Sequence, residues 1–288
     1  MTPVHPAPSW PADLQLHLLP VSGATLALRV AGTGPTVLLL HGTGTAGFSF
    51  APLVHQLAPH CTCLVPDLPG HGLSSLPNSL ADLGVEGMAT AVLAALAAKG
   101  VHPDLIVGHS AGFVVGVELM RRSAITAPRL VGLAPALWLS SNPRRSPFWP
   151  LIAAVSRSRL LAALLARAVG SRAAVERIAA ATGSSLPPEH LAAYATLATN
   201  PRHLHAMLAM MAAWDLVPIQ RAAACIMQPV LLLAGDRDPW FPPANVTFQA
   251  SHFPNGASES FAGLGHFLHE EQPVLIADRL RAVLAAPI

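Results

Sequence analysis

A serine, an aspartate and a histidine each follow an apolar run in this chain, at places where a strand would end in a turn. Leu105-Ile106-Val107 feeds into Gly108-His109-Ser110-Ala111-Gly112, the G-x-S-x-G spacing of a nucleophile elbow, in which a strand turns sharply into a helix with the serine at its apex. The residues beside the serine must be small, because two chain segments approach closely there. Val230 to Ala234 leads to Gly235-Asp236-Arg237-Asp238, a turn bearing two carboxylates, and Gly263-Leu264-Gly265-His266 follows one more short β-like segment. A neutral serine hydroxyl is a poor nucleophile and needs a base within reach; His266 is expected to take the Ser110 proton near neutral pH. The imidazolium so formed needs a fixed carboxylate to orient it. The spacing alone does not separate Asp236 from Asp238 for that role. A tetrahedral oxyanion needs donors already in place, and the backbone N–H groups of Ala111 and of Thr43, in the loop His41-Gly42-Thr43-Gly44, are the candidates. His41, Gly42 and His109 flank these groups and are expected to contact substrate.

The surrounding elements read as an alternating α/β pattern. Leu14 to Leu18 and Thr25 to Val30 alternate as half-buried strands, joined by a turn at Val21-Ser22-Gly23. Thr36 to Leu40 and Cys61 to Val65 are continuously apolar, as inner parallel strands covered on both faces must be. Phe50 to Ala58 and Met88 to Lys99 read as helices, the second stopped by Gly100, and Arg129 to Leu133 as the next strand. After Pro135 the pattern changes. Residues 137–217 carry no alternating strand and are rich in Ala, Leu and Arg with Pro and Gly breaks, which predicts an all-helical cap inserted between core segments 1–136 and 218–288. The closing helix is expected over Pro273 to Ala285, with proline in its first turn. Within the cap, Met207, Met210, Met211 and Trp214 fall at i, i+3, i+4 and i+7 on one face. They are either cap core or a soft, polarisable wall for a large flat ligand; Met207, Met211 and Trp214 are the candidates for that wall.

Composition narrows the partners. Of 288 residues, 52% are hydrophobic and 11% charged, mean hydropathy is +0.48, and the formal net charge is +2. That balance supports a large core and an apolar cleft for a small hydrophobic substrate, and it argues against nucleic acid. Cys61, Cys63 and Cys225 are an odd set, expected to be reduced. The 14 histidines show no metal-ligand spacing, so neither a metal nor another cofactor is expected. The proline-rich start, Met1 to Pro11, does not read as a signal peptide, which points to the cytoplasm. The cap arginines Arg144, Arg145, Arg157, Arg159, Arg167, Arg172 and Arg177 have Glu176 as the nearby acid. They fit a solvated face, a carboxylate-binding mouth, or peripheral contact with an anionic membrane. At least one of them is expected to reach the cleft's mouth.

With those residues assembled, the chain resembles the α/β-hydrolase superfamily, whose order of serine, acid and histidine it shares. The resemblance implies a mostly parallel sheet flanked by helices, and its Gly-x-x-Asp pattern favours Asp238 as the acid. Ala174-Val175-Glu176-Arg177, Thr182-Gly183-Ser184 and Met210 to Leu216, with Leu264 to Glu271, resemble the BchO subgroup. That resemblance implies a role in bacteriochlorophyll synthesis, a porphyrin carboxylate or ester as ligand, and association with magnesium chelatase. Two functions are therefore carried forward: a serine hydrolase acting on an ester or related acyl bond, and a non-catalytic accessory protein that binds a porphyrin intermediate or the chelatase.

Overall fold

The computed structural model describes residues 9–21, 23–122, 129–139 and 149–286. Eight strands form one sheet in the order β1-β2-β4-β3-β5-β6-β7-β8. They are β1 Gln15–Val21, β2 Ala24–Ala31, β3 Thr36–Leu40, β4 Thr62–Pro66, β5 Leu105–His109, β6 Arg129–Leu133, β7 Val230–Gly235 and β8 Gly256–Phe261. β1 and β2 make an antiparallel hairpin, and β2 also pairs antiparallel with β4. Every pairing from β4 to β8 is parallel. This is the α/β-hydrolase fold.

The period of two along the inner strands splits their side chains between two cores. Leu38, Leu40, Ile106, Leu130 and Leu232 pack with α2 (Val85–Lys99), α3 (Ala111–Arg121), α9 (Val217–Ala223) and α10 (Pro243–Ala250) on one face. Val37, Leu39, Val107, Val131 and Leu233 pack with α1 (Ala51–Leu57) and α12 (Pro273–Ala285) on the other. Both faces are covered, which is why these strands are continuously apolar. α2 starts at Val85 rather than Met88, and a 3₁₀ turn, Gly47–Phe50, precedes α1.

Between β6 and β7 lie α4 (Trp149–Ser156), α5 (Arg159–Val169), α6 (Arg172–Ala181), α7 (Pro188–Thr199), α8 (Pro201–Ala213) and then α9. No strand occurs among the described residues of this insertion. Helices α5, α6 and α8 start where side chains cap them: Ser158 accepts from Leu161 N at 3.3 Å, Ser171 from Ala174 N at 3.2 Å and Asn200 from Arg202 N at 3.0 Å. α9 packs on α3, with Ile219 and Ala223 inside the first core. A short helix, α11 (Leu268–Glu271), precedes α12.

Candidate active site

The elbow is built by close approach. Ser110 joins β5 to α3 with φ 51° and ψ −116°, a strained conformation for a residue with a side chain. A Cβ on Gly108 would lie 2.4 Å from the backbone of Phe113, and one on Gly112 would lie 2.0 Å from the Leu40 carbonyl oxygen. Only glycine fits either position. Ser110 N donates to the Leu133 carbonyl at 2.9 Å, and the Ser110 carbonyl accepts from Ala136 N at 3.2 Å. The neighbouring strand and the loop after it thus hold the strained turn.

The turn after β7 and the loop after β8 bring Asp238 to His266. His266 Nδ1 donates to Asp238 Oδ2 at 2.8 Å, and both side chains are buried. Asp238 Oδ1 accepts from Trp240 N at 2.8 Å and Phe241 N at 3.1 Å, which fixes the carboxylate. With Nδ1 committed, Nε2 is the nitrogen left to act as base. Asp236 is exposed and accepts from Gly263 N at 2.7 Å, tying down the loop that leads to the histidine. Phe241 stacks on the His266 ring at 5.7 Å, and Trp240 lies 5.1 Å from it.

Ser110, Ala111, Thr43, Gly42 and His266 line one cavity of about 990 Å³ between the sheet and the inserted helices. Met207, Met211 and Trp214 line it too, while Met210 is buried in the core beneath. Trp214 Nε1 donates to the Leu83 carbonyl at 3.0 Å. His109 lies at the base; its Nε2 donates to the His266 carbonyl at 3.1 Å, and burial together with His269 and His266 holds its pKa well below the usual histidine range.

Two expectations are corrected. His41 does not reach the cavity. It is fully buried, with Nδ1 donating to the Gly42 carbonyl at 2.9 Å and Nε2 accepting from Leu68 N at 2.9 Å. That pattern requires one neutral tautomer, and burial lowers the ring's pKa accordingly. His41 shapes the loop carrying Thr43 instead of meeting substrate. Nor do the described cap arginines line the cavity. Arg157, Arg159, Arg167, Arg172 and Arg177 are exposed, and no arginine or lysine lines the cavity among the described residues. Arg144 and Arg145 lie outside the described residues. The ionisable groups in the lining are Asp215, Tyr194 and the histidines His109, His203 and His266.

Sequence reasoning passed over His203 and Tyr194. His203 Nε2 donates to the Gly44 carbonyl at 3.3 Å, and burial pushes its pKa down to about 4. The signal was available: His203 precedes Met207 by one helical turn on the same face of α8. Met207 itself covers the loop so closely that a Cβ on Gly44 would lie 2.8 Å from its sulfur. Among the described residues no three His, Cys, Asp or Glu side chains are grouped to hold a metal ion. No helix among them is long and apolar enough to cross a membrane.

Comparison with known proteins agrees with this architecture. The sequence pattern of the alpha/beta hydrolase family matches residues 37–279. The chain is 32% identical over 237 residues to the magnesium-chelatase 30 kDa subunit of Rhodobacter capsulatus, covering 82% of each. It is 31% identical over 268 residues to a pimeloyl-[acyl-carrier protein] methyl ester esterase of Xanthomonas campestris pv. campestris, covering 90% of this chain and 98% of the relative. A haloalkane dehalogenase loop variant from Bradyrhizobium elkanii superposes with a TM-score of 0.72 at 22% identity, over 95% of this chain and 97% of the other, a likeness of fold alone.

Proposed function

Because this chain belongs to the α/β hydrolase family, we propose that it is a serine hydrolase that cleaves an ester or related acyl bond in a large, mainly apolar substrate. One observation carries the reading: a strained serine opens onto the same cavity as a histidine whose Nδ1 is bonded to a buried aspartate. In this reading Ser110 Oγ attacks the carbonyl carbon while His266 Nε2 takes its proton. Asp238 stabilises the imidazolium, and the N–H groups of Thr43 and Ala111 receive the oxyanion. His266 returns the proton to the leaving alkoxide, and a water then releases the acyl group from Ser110 by the same steps. A serine at the apex also distinguishes the chain from hydrolases of this fold that attack with a carboxylate.

The lining narrows the substrate. A cavity near the upper end of the usual range of about 300–1,000 Å³ takes a large ligand. Met207, Met211, Trp214 and Phe267 offer polarisable apolar walls, and the described lining holds no cation to pair a free carboxylate. A neutral ester is favoured over a carboxylate, in keeping with the esterase relative. The similarity to the magnesium-chelatase 30 kDa subunit supports a porphyrin ester as the substrate, and work in bacteriochlorophyll synthesis beside the chelatase. The same relative's designation as a subunit supports the second reading, a porphyrin- or chelatase-binding accessory protein that retains the site without using it. Peripheral contact of a cytoplasmic protein with an anionic membrane is supported by α5, where Leu160 and Leu164 are 70% and 53% exposed between Arg159 and Arg167.

A fluorophosphonate probe tests the reading. The wild-type protein is expected to label and Ser110→Ala is not. Absence of labelling in a folded wild type, together with porphyrin binding, would select the accessory reading.

A further inference from the structure

The loop that carries His266 is bonded to the segment that joins α6 to α7. His266 N donates to the Thr182 carbonyl at 3.1 Å, and Phe267 N donates to Ser184 Oγ at 2.9 Å. Ser185 N donates to Glu271 Oε2 at 3.3 Å. A Cβ on Gly265 would lie 2.4 Å from the Gly183 backbone, so the two segments are in direct contact.

Below these contacts a single buried carboxylate joins the same two parts of the molecule. Glu270 sits on α11, one turn beyond His266, and its side chain is fully enclosed. Its Oε2 accepts from His190 Nδ1, and its Oε1 accepts from the Tyr194 hydroxyl. His190 and Tyr194 are four residues apart on α7, so one helix face presents both donors. The Tyr194 ring packs edge-on against Phe48 at 4.9 Å and lies 5.6 Å from Phe267. Phe48 belongs to the turn after the Thr43 loop, and Phe267 follows the histidine. Tyr194 also lines the substrate cavity. One tyrosine therefore touches the oxyanion side, the base side and the substrate space. Its hydroxyl is held by Glu270.

We propose that Glu270 is a positioning residue: by holding His190 and Tyr194 it latches the cap helix α7 to the His266 loop, and so keeps the cavity wall in register with the catalytic base. The proposal rests on the serine-hydrolase reading for its catalytic consequence and on the packing alone for its structural one. A carboxylate does this where a hydrophobic contact would not, because two directed hydrogen bonds fix the rotation of α7 as well as its distance. Burial raises the Glu270 pKa while the His190 hydrogen bond opposes the rise, so the carboxylate depends on its partners.

The test uses Tyr194→Phe, which keeps the ring packing and removes the hydroxyl, with Glu270→Ala and Glu270→Gln beside it. Amide hydrogen exchange is measured over 182–199 and 262–272. In the wild type these segments are expected to share one protection level. Tyr194→Phe should lower both together by roughly 10- to 100-fold, the loss expected for one hydrogen bond to a charged group. Glu270→Ala should lower them further, and Glu270→Gln, which still accepts from Tyr194, should recover part of the loss. Hydrolysis of p-nitrophenyl esters supplies the second readout. The ratio of long-chain to short-chain kcat/KM, taken per folded molecule, should fall about tenfold in Tyr194→Phe. Exchange that changes in one segment but not the other, or a wild-type chain-length ratio in folded Tyr194→Phe, overturns the latch. A wild type that hydrolyses no ester defeats the hydrolase reading while the exchange result still decides the latch. If Glu270→Ala does not fold, Tyr194→Phe and Glu270→Gln carry the test.

Discussion

Lowering the pH from 7.5 to 5 is expected to destabilise this protein steeply, through histidines buried in their neutral form. The rings of His71, His109, His203 and His269 are all buried, and burial is the leading cause of the fall in each pKa. His203 is pushed down to about 4 and His269 to about 3. In the unfolded chain each returns to about 6.5. The sign follows directly. A depressed folded pKa means that below about pH 6.5 the unfolded state binds a proton the native state refuses, so stability is complete above that value and is lost as pH falls towards the folded pKa. At pH 5 the interval is about 1.5 units, which at 1.36 kcal/mol per unit is about 2 kcal/mol for each histidine still neutral in the fold. His203 and His269 together supply about 4 kcal/mol, and His71 and His109 act in the same sense. Against a typical total of about 5–15 kcal/mol that is a large fraction. Asp67 and Glu118, whose carboxyls are lowered on balance by their arginine partners against the cost of burial, weaken the fold only at more acid pH. Glu270, raised by burial, acts in the opposite direction.

The assay is urea unfolding followed by far-ultraviolet circular dichroism at pH 7.5, 6.5, 5.5 and 5.0. The midpoint should fall slightly between the first two and then drop by on the order of 1 M or more, given slopes of about 1–3 kcal/mol per M or somewhat above. His269→Gln should flatten the acid limb by up to one proton. A midpoint unchanged from pH 7.5 to pH 5 would refute the reasoning, since it would mean these rings are hydrated or charged in the fold.

Other outcomes follow from the site. Asp238→Asn should lower kcat for ester hydrolysis by about 10³- to 10⁴-fold with little change in fold, because the wrong tautomer of His266 is then held, whereas Asp236→Asn should change it little; a larger loss in Asp236→Asn would reverse the assignment. Protoporphyrin dimethyl ester should quench tryptophan fluorescence at lower concentration than the free diacid, with the effect reduced in Trp214→Phe. Tighter binding of the diacid would restore a carboxylate-reading mouth. The full-length protein should co-sediment with phosphatidylglycerol vesicles and not with phosphatidylcholine vesicles, and Leu160→Glu with Leu164→Glu should abolish this; sedimentation unchanged by the pair removes α5 as the contact.

What the sequence disclosed was local. The elbow at Ser110, the apolar strands on either side of it and the glycine stop at Gly100 are each set by residues a few positions apart. Asp236 and Asp238 share a turn, so turn chemistry does not rank them. They part only because Gly263 N meets one and His266 Nδ1 the other, across a loop set by β8. The methionine stripe shows the same limit. Helical spacing put Met207, Met210, Met211 and Trp214 on one face, but that face spans both the cavity and the core, and the neighbours decide which residue meets which. The described arginines of the cap turn away from the cavity, and composition says nothing of direction. α5 buries Ala162 and Ala166 and turns Arg167 to solvent.

The residues hardest to foresee are those that join the cap to the His266 loop. Glu270 meets His190 and Tyr194 from the far end of the chain, and Thr182 and Ser184 likewise hold His266 and Phe267 across the whole of α7, α8 and β7. In a fold where the core alone placed the base, a cap could change substrates without touching the chemistry. Here Thr182 accepts from the His266 backbone N–H and Ser184 from that of Phe267, and α7 supplies both a cavity wall and the partners of Glu270. On the proposed serine-hydrolase reading, a change in the cap that admits a different acyl group would therefore also shift the His266 ring. Under the proposed latch, recognition and base placement would share the same few hydrogen bonds, those that tie α7 and the segment 182–185 to the His266 loop.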